Sequence, residues 1–365
     1  MHIAEVKRYD YIDALRGFAI LGVVLVHSSQ WVTPTSSVLS ALAGEGARGV
    51  QLFYIASALT LFLSMAARSR SEERPVLGFF VRRFFRIAPA FYCAIVVYTL
   101  YYGMGARYTA PNGIEWWYVL LTALFVNGWH PETINSVVPG GWSIAVEMTF
   151  YLLVPLFFLK LQSLKSTLVA LVASLALSIA ASLAVQCILA PAYPQSQQYL
   201  VTDFALLWFF SQLPIFVAGI LLYHIITRYP SAVRPTSIGL LCASLLMFGA
   251  LVAISTLGNW LPKQFFYGLA FTVFSLSLYY WPNGVLVNGL TTLIGRLSFS
   301  IYLVHFMVLQ MMRAIFPNGF IVNGDIGFMV AFLLVLLVST CISYATHRAI
   351  ELPGIALGKR IVERL

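Results

Sequence analysis

Charge is scarce in this chain. Asp, Glu, Lys and Arg make up 10% of its 365 residues, and 60% are hydrophobic. A soluble globular chain has about 25% charged and about 45–50% apolar residues. That deficit excludes a soluble domain as the body of the protein. Cysteine is rare too. Cys93, Cys187, Cys242 and Cys341 sit in apolar runs without metal-ligand spacing. This argues against a disulfide frame or a metal site and reads them as small buried hydrophobes. No glycine-rich phosphate loop, His/Cys metal cluster or G-x-S-x-G elbow occurs, and Ser57 in "YIASAL" lacks the flanking glycines. No small-residue cleavage site follows the first apolar run, so "MHIAEVKRYDYIDALRG" leads into a retained helix rather than a removed signal peptide.

What fills the chain instead is a succession of apolar segments of about 20 residues, the length that spans a bilayer. The pattern predicts an all-α polytopic membrane protein with about ten spanning helices. Their expected spans are 14–33, 47–67, 88–105, 141–159, 167–189, 204–226, 236–256, 265–281, 297–315 and 326–347. Eighteen of the 22 Lys and Arg residues, Lys7, Arg8, Arg16 and Arg82 among them, fall on one side of this arrangement. The remaining four, Arg48, Arg107, Lys263 and Arg313, fall on the other. By the positive-inside rule both termini are cytoplasmic. The asymmetry also accounts for the net charge of +9 without nucleic acid. The segment 115–132, "EWWYVLLTALFVNGWHPE", is too short to span. It reads as re-entrant or interfacial, on the outer side, where it can roof a cavity.

Ionisable groups in the hydrocarbon zone are costly, which makes them functional candidates. His27, Glu147 and His305 are predicted within roughly 10 Å of the midplane, counted by rise per residue. They suggest one shared polar cavity. Arg16 lies eleven residues before His27, on almost the same helix face and roughly 16 Å away along the axis. Asp13 can pair with Arg16 from one turn away. Arg83 and Arg86 share a face just before the third expected helix, and arginine forks suit the phosphates of a cytosolic donor. Plainer readings stand beside these. An intramembrane histidine can be a packing residue, Arg16 can snorkel to the interface, and an arginine cluster can anchor lipid headgroups. Buried ionisable groups on ten helices also fit a proton-coupled secondary transporter of a small solute.

Five blocks, in order, resemble the acyltransferase 3 family of integral-membrane O-acyltransferases. "YIDALRGFAILGVVLVH" is similar to its first-helix signature. "RRFFRIAPAFY" resembles its Arg-x-x-Arg segment, on Arg83 and Arg86. "WSIAVEMTFYLLVP" resembles a block carried by Trp142, Ser143, Glu147, Phe150 and Tyr151. "SFSIYLVH" resembles another, carried by Ser298 or Ser300, Tyr302 and His305. "HRAIELPGIALGKR" resembles the terminal Glu-x-Pro segment, with Glu351 and Pro353. One departure is Ala58 after Ser57, where the family usually has glycine, which puts the neighbouring pocket in question.

The resemblance implies transfer of an acyl group, acetyl above all, from acyl-CoA to a hydroxyl of a carbohydrate, glycan or small acceptor. His27, Glu147 and His305 are then the expected catalytic residues, and Arg16, Arg83 and Arg86 the acyl-CoA site. Asp13, Trp142, Ser143, Tyr151, Tyr302 and Glu351 are further site candidates. No metal or bound cofactor is expected, because acyl-CoA is a co-substrate. The expected setting is a bacterial cytoplasmic (inner) membrane. The expected organisation is a single membrane-embedded acyltransferase domain over 1–365, with no fused soluble domain.

Overall fold

The computed structural model describes residues 9–254, 262–316 and 324–365. Lys7 and Arg8, counted above for orientation, lie outside the described residues. Among the described residues there is no strand, only an isolated bridge between Arg107 and Ala110. Nine stretches of them are long and apolar enough to cross a membrane.

The bundle is built around α1 (Asp10–Ser29), which packs against α3 (Gly49–Arg68), α12 (Gly289–Arg296), α13 (Ser298–Ile315) and α14 (Gly324–Thr346). Glycine sets the closest crossing. A Cβ on Gly17 would collide with the Thr291 carbonyl, and one on Gly295 with the Asp13 carbonyl. The α1 and α12 backbones therefore touch, as small residues allow between membrane helices. The short helix α2 (Ser37–Glu45) precedes α3.

On the other side of α3 lie α6 (Gly141–Lys160) and α9 (Phe209–Arg228), and α7 (Leu164–Leu189) packs on α9. The apolar run expected as one helix over 204–226 is two, α8 (Gln198–Leu207) and α9, broken at Trp208, whose ψ is 170°. Next come α10 (Arg234–Ala253) and α11 (Lys263–Tyr280). The 18-residue α11 matches the expected span 265–281 but is too polar to rank with the nine. It packs against α3, α9 and α10, and buries Gln264, Thr272, Ser275 and Ser277. A helix enclosed by protein does not need a lipid-like surface.

Two other expectations shift. The third expected span, 88–105, is the rear part of a 28-residue helix, α4 (Pro75–Tyr102), whose Pro75 sits at its first turn. Arg83 and Arg86 are thus inside a helix rather than flanking one. The segment 115–132 contains only the eight-residue α5 (Trp116–Ala123) and a 3₁₀ turn at Asn127–Trp129, so it does not span. After α14 a π-turn at His347–Glu351 leads into α15 (Leu352–Val362), which lies along α4.

The four cysteines are exposed on the outside of the bundle and unpaired, not buried as expected. Lipid tails are as apolar as leucine, so a lipid-facing position suits a small apolar side chain as well as a core does.

Candidate functional site

A cavity opens among α1, α3, α4, α6 and α13, with about 690 Å³ of empty space once its open mouth is included. Each helix contributes polar groups at helical spacing. Arg16 comes from α1, Ser57 from α3, Arg83 and Arg86 from α4, Ser143, Glu147 and Tyr151 from α6, and Ser298 and Tyr302 from α13. Glu147 is the one carboxylate among the described lining residues. Its Oε1 accepts from the Ser57 hydroxyl at 2.5 Å and from the Tyr151 phenol, one turn along α6, at 2.7 Å. These two bonds stabilise a carboxylate that would otherwise be costly at this depth.

The arginines are held differently from one another. Arg16 donates to Thr60 Oγ1 at 3.0 Å and lies 3.7 Å from Asp13, which is also 3.6 Å from Arg296. Arg83 lies over the Phe79 and Tyr151 rings, 5.9 Å from each centroid. Neither Arg83 nor Arg86 makes an ion pair among the described residues. Their neighbour Arg82 is committed instead to Glu72, in a fork with contacts of 2.9 and 3.0 Å. One residue along the helix separates an arginine tied to a structural carboxylate from one turned to the cavity.

At another wall, Ser143 Oγ donates to the Tyr302 hydroxyl at 2.8 Å, and that hydroxyl donates to the Gly140 carbonyl at 2.9 Å. Gly140 has a φ of +77°, and a Cβ there would press on the Tyr302 hydroxyl. Glycine therefore serves both the turn that starts α6 and the seat of Tyr302.

The expectation that His27 and Glu147 open onto one cavity is not met. His27 and His305 do not line it. They form a pair of their own, His27 Nδ1 to His305 Nε2 at 3.2 Å, packed on Phe306. His305 Nδ1 lies 3.1 Å from the Ile301 carbonyl. Tyr302 links the two regions: it lines the cavity, and its ring centroid is 5.8 Å from that of His305. The direction each side chain takes splits one expected site into two adjoining ones.

The other candidates separate as well. Trp142 does not line the cavity, although its ring meets that of Tyr54 in the wall. Glu351 is buried in its own cluster, accepting from Ser300 and lying 3.1 Å from His347 Nδ1. Ser298 therefore lines the cavity and Ser300 does not. Ala58 is turned toward α9, where a Cβ on Gly219 would meet it at 2.7 Å. The glycine missing from α3 has its counterpart on the opposing helix, and the cavity is not touched by the change. The 115–132 segment does not roof this cavity, since none of its residues lines it. Ser57, Thr60 and Tyr54 were missed as site residues. Their signal was hydroxyl-bearing side chains at a spacing of three along a largely apolar helix. Among the described residues no group of three or more His, Cys, Asp or Glu is placed to hold a metal ion.

A family profile described as an acyltransferase domain matches residues 9–348. The chain is 24% identical to the O-acetyltransferase OatA of Staphylococcus aureus over 94% of its own length and 56% of the relative's. It is 23% identical to the peptidoglycan O-acetyltransferase OatA of Listeria monocytogenes, over 84% of this chain and 50% of that one. It is 27% identical to the acyltransferase MdmB of Streptomyces mycarofaciens, over 42% and 40%. The chain thus spans about half the length of the OatA relatives it matches. No solved structure is a significant match.

Proposed function

The chain belongs to the acyltransferase 3 family, and from that premise we propose that it is a membrane O-acyltransferase moving an acyl group, acetyl in the first instance, from acyl-CoA to a hydroxyl of a glycan. The observation that carries this reading is the convergence of Arg16, Arg83, Arg86 and Glu147 on one cavity inside the helix bundle. Three guanidinium groups line the cavity against one carboxylate, and with Asp13 beside Arg16 a surplus of positive charge still remains in a confined space. Planar arginine forks match phosphate oxygens in pairs. A proton-coupled carrier has no evident use for such an excess, and the relatives' names favour acyl transfer to a glycan.

In this reading the phosphates of coenzyme A sit at the arginines. The pantetheine arm runs along the cavity past Ser143 and Tyr302, so that the thioester reaches the adjoining histidine pair, whose His305 ring lies 5.8 Å from that of Tyr302. The hydrogen-bond chain supports one placement of the protons on a neutral pair. A carbonyl only accepts, so His305 Nδ1 carries a proton toward Ile301. Its Nε2 then accepts from His27 Nδ1–H. His27 Nε2 is left with a free lone pair, as a general base requires.

His27 takes the proton of the acceptor hydroxyl as the oxygen attacks the thioester carbonyl. The tetrahedral intermediate collapses, the C–S bond breaks, and the coenzyme A thiolate recovers the proton from His27. Glu147 balances the arginines and, with Ser57 and Tyr151, shapes the donor pocket. We place the protein in a bacterial cytoplasmic membrane with both termini in the cytosol, and treat residues 9–348 as one membrane-embedded catalytic unit.

The test is transfer of labelled acetyl from acetyl-CoA to a cell-wall glycan by the purified chain in lipid nanodiscs. His27→Ala should abolish transfer yet still bind acetyl-CoA. Near-normal transfer by that variant refutes the base assignment, and failure of the wild type to bind acetyl-CoA refutes the donor.

A further inference from the structure

A second concavity, a cleft with about 1520 Å³ of empty space once its open side is included, lies away from the arginine cavity. Its walls are the segment from Trp129 to Glu132, the last turns of α7, the connection through Tyr193 and Gln197, and Phe204 and Trp208 at the α8–α9 break. By the asymmetry of basic residues this is the outer end of the bundle.

Its lining is aromatic in a fixed way. Trp129 is 46% exposed, and Phe209 and Phe210 back it at centroid distances of 6.5 and 5.9 Å. Trp208 is braced by Phe204 and Phe210. Its indole N–H is buried with no hydrogen-bond partner among the described residues. Flat, braced rings suit ligands with one apolar face and hydroxyls around the rim.

The polar groups converge on one carboxylate. Glu132 lines the cleft, accepts from the Tyr118 phenol and lies close enough to Tyr193 for its charge to act on that phenol. Burial and the Glu132 charge push the Tyr193 phenol up to about 12, and burial also raises Tyr118. Both phenols therefore keep their protons, and the Tyr118 bond aims the carboxylate, while lone pairs remain for a ligand. Asn112 and Gln197 add amides at the rim.

No Lys or Arg lines the cleft among the described residues, and burial holds His130 below its ordinary pKa. A carboxylate without a cation repels phosphate headgroups and acidic sugars. It accepts well from sugar hydroxyls. Interfacial tryptophans alone are ordinary in membrane proteins, but an interfacial belt does not require a carboxylate collared by two phenols. Trp142 connects the two regions, packing both on the apolar cluster beneath the cleft, which contains Ile134, Val185 and Phe204, and on Tyr54 of the cavity wall.

We propose that this cleft is a glycan subsite, in which uncharged sugar rings of the acceptor stack on Trp129 and Trp208 and donate hydroxyls to Glu132, so that the polymer is held outside the bundle while one of its units is acylated within. That the bound glycan is the acceptor rests on the function proposed above; that the cleft binds sugar does not.

The test therefore omits the donor. A neutral N-acetylglucosamine tetramer is titrated into the full chain in nanodiscs and followed by calorimetry. The wild type should bind it. Trp129→Ala and Glu132→Gln should each weaken binding about tenfold, the scale of one stacking face or one charged hydrogen bond. Trp129→Phe, which keeps a stacking ring and the fold, should retain most of it. No binding by the wild type, or equal binding by both weakened variants, overturns the subsite. So does labelling of Trp129 by a photoreactive lipid that the tetramer does not block, which would make the cleft a lipid crevice. A chain that binds the tetramer but transfers no acetyl keeps the subsite and loses the transfer. Transfer with an unchanged acceptor KM in Trp129→Ala does the reverse.

Discussion

Arg82 and Arg83 are adjacent in sequence, and the structure gives them opposite fates, which makes them a sharp test of the donor site. Arg83 lines the cavity without an ion pair among the described residues, while Arg82 is forked onto Glu72. A hydrogen bond from a charged donor contributes about 1.5–3 kcal/mol. Arg83→Ala should therefore weaken acetyl-CoA binding by roughly 10- to 150-fold. Arg86→Ala should fall in the same range. The double variant should lose less than the product of the two, because both residues meet the same ligand. Arg82→Ala should change affinity by only a few-fold, since its carboxylate partner lies in the α3–α4 turn. Equilibrium binding of acetyl-CoA to the nanodisc-embedded chain, at two salt concentrations, measures this. Salt should weaken the wild type more than Arg83→Ala, whose phosphate contact is already gone. Unchanged affinity in Arg83→Ala beside a large loss in Arg82→Ala would refute the assignment and return the cluster to a lipid anchor.

Other outcomes follow from the same geometry. His305→Ala removes the acceptor of the His27 Nδ1 proton and should lower transfer by about 10²–10⁴-fold, the range of general-base catalysis, with acetyl-CoA affinity nearly unchanged; a comparable loss of affinity would place the pair within the donor site. Ser57→Ala strips Glu147 of one of its two O–H donors and should weaken donor binding in calorimetry, whereas Ala58→Gly, facing α9, should leave it alone. Gly295→Val forces a side chain into the Asp13 carbonyl and should cost about 1–3 kcal/mol in unfolding by denaturant; wild-type stability would show that the α1–α12 contact is loose. Burial holds His130 below its ordinary value near 6.5. The unfolded segment thus binds more protons as pH falls below that value, so the 125–137 segment should lose stability on acidification and keep it above pH 7; pH-independent limited proteolysis there would contradict this.

Much of the fold was legible because a bilayer imposes a one-dimensional rule. A span needs about 20 apolar residues, and basic residues mark its cytosolic ends. Hydropathy was less informative where protein rather than lipid surrounds the chain. It placed the start of α4 thirteen residues late, because Arg82, Arg83 and Arg86 read as a flank when two of them face an interior cavity. It did not mark the break at Trp208, since apolar character continues through a change of direction. It read the cysteines as buried, since apolar positions facing lipid and facing the core look alike.

For the site, residue type and period were enough to single out Arg16, His27, Arg83, Arg86, Glu147 and His305, because each is costly in an apolar helix unless something answers it. They also placed Arg16 and His27 near one face of α1. What answers each group was decided only in three dimensions. Ser57 and Thr60 come from α3, and Tyr151 from α6, to Glu147 and Arg16. His27 meets His305 across 278 positions, and Tyr302 stands between that pair and the cavity. The physical reason is that period and depth specify a position along a helix axis, whereas a cavity is made by the rotation of several helices about their axes. Those rotations are set by close contacts such as Gly17 with Thr291 and Gly219 with Ala58, which belong to no single segment.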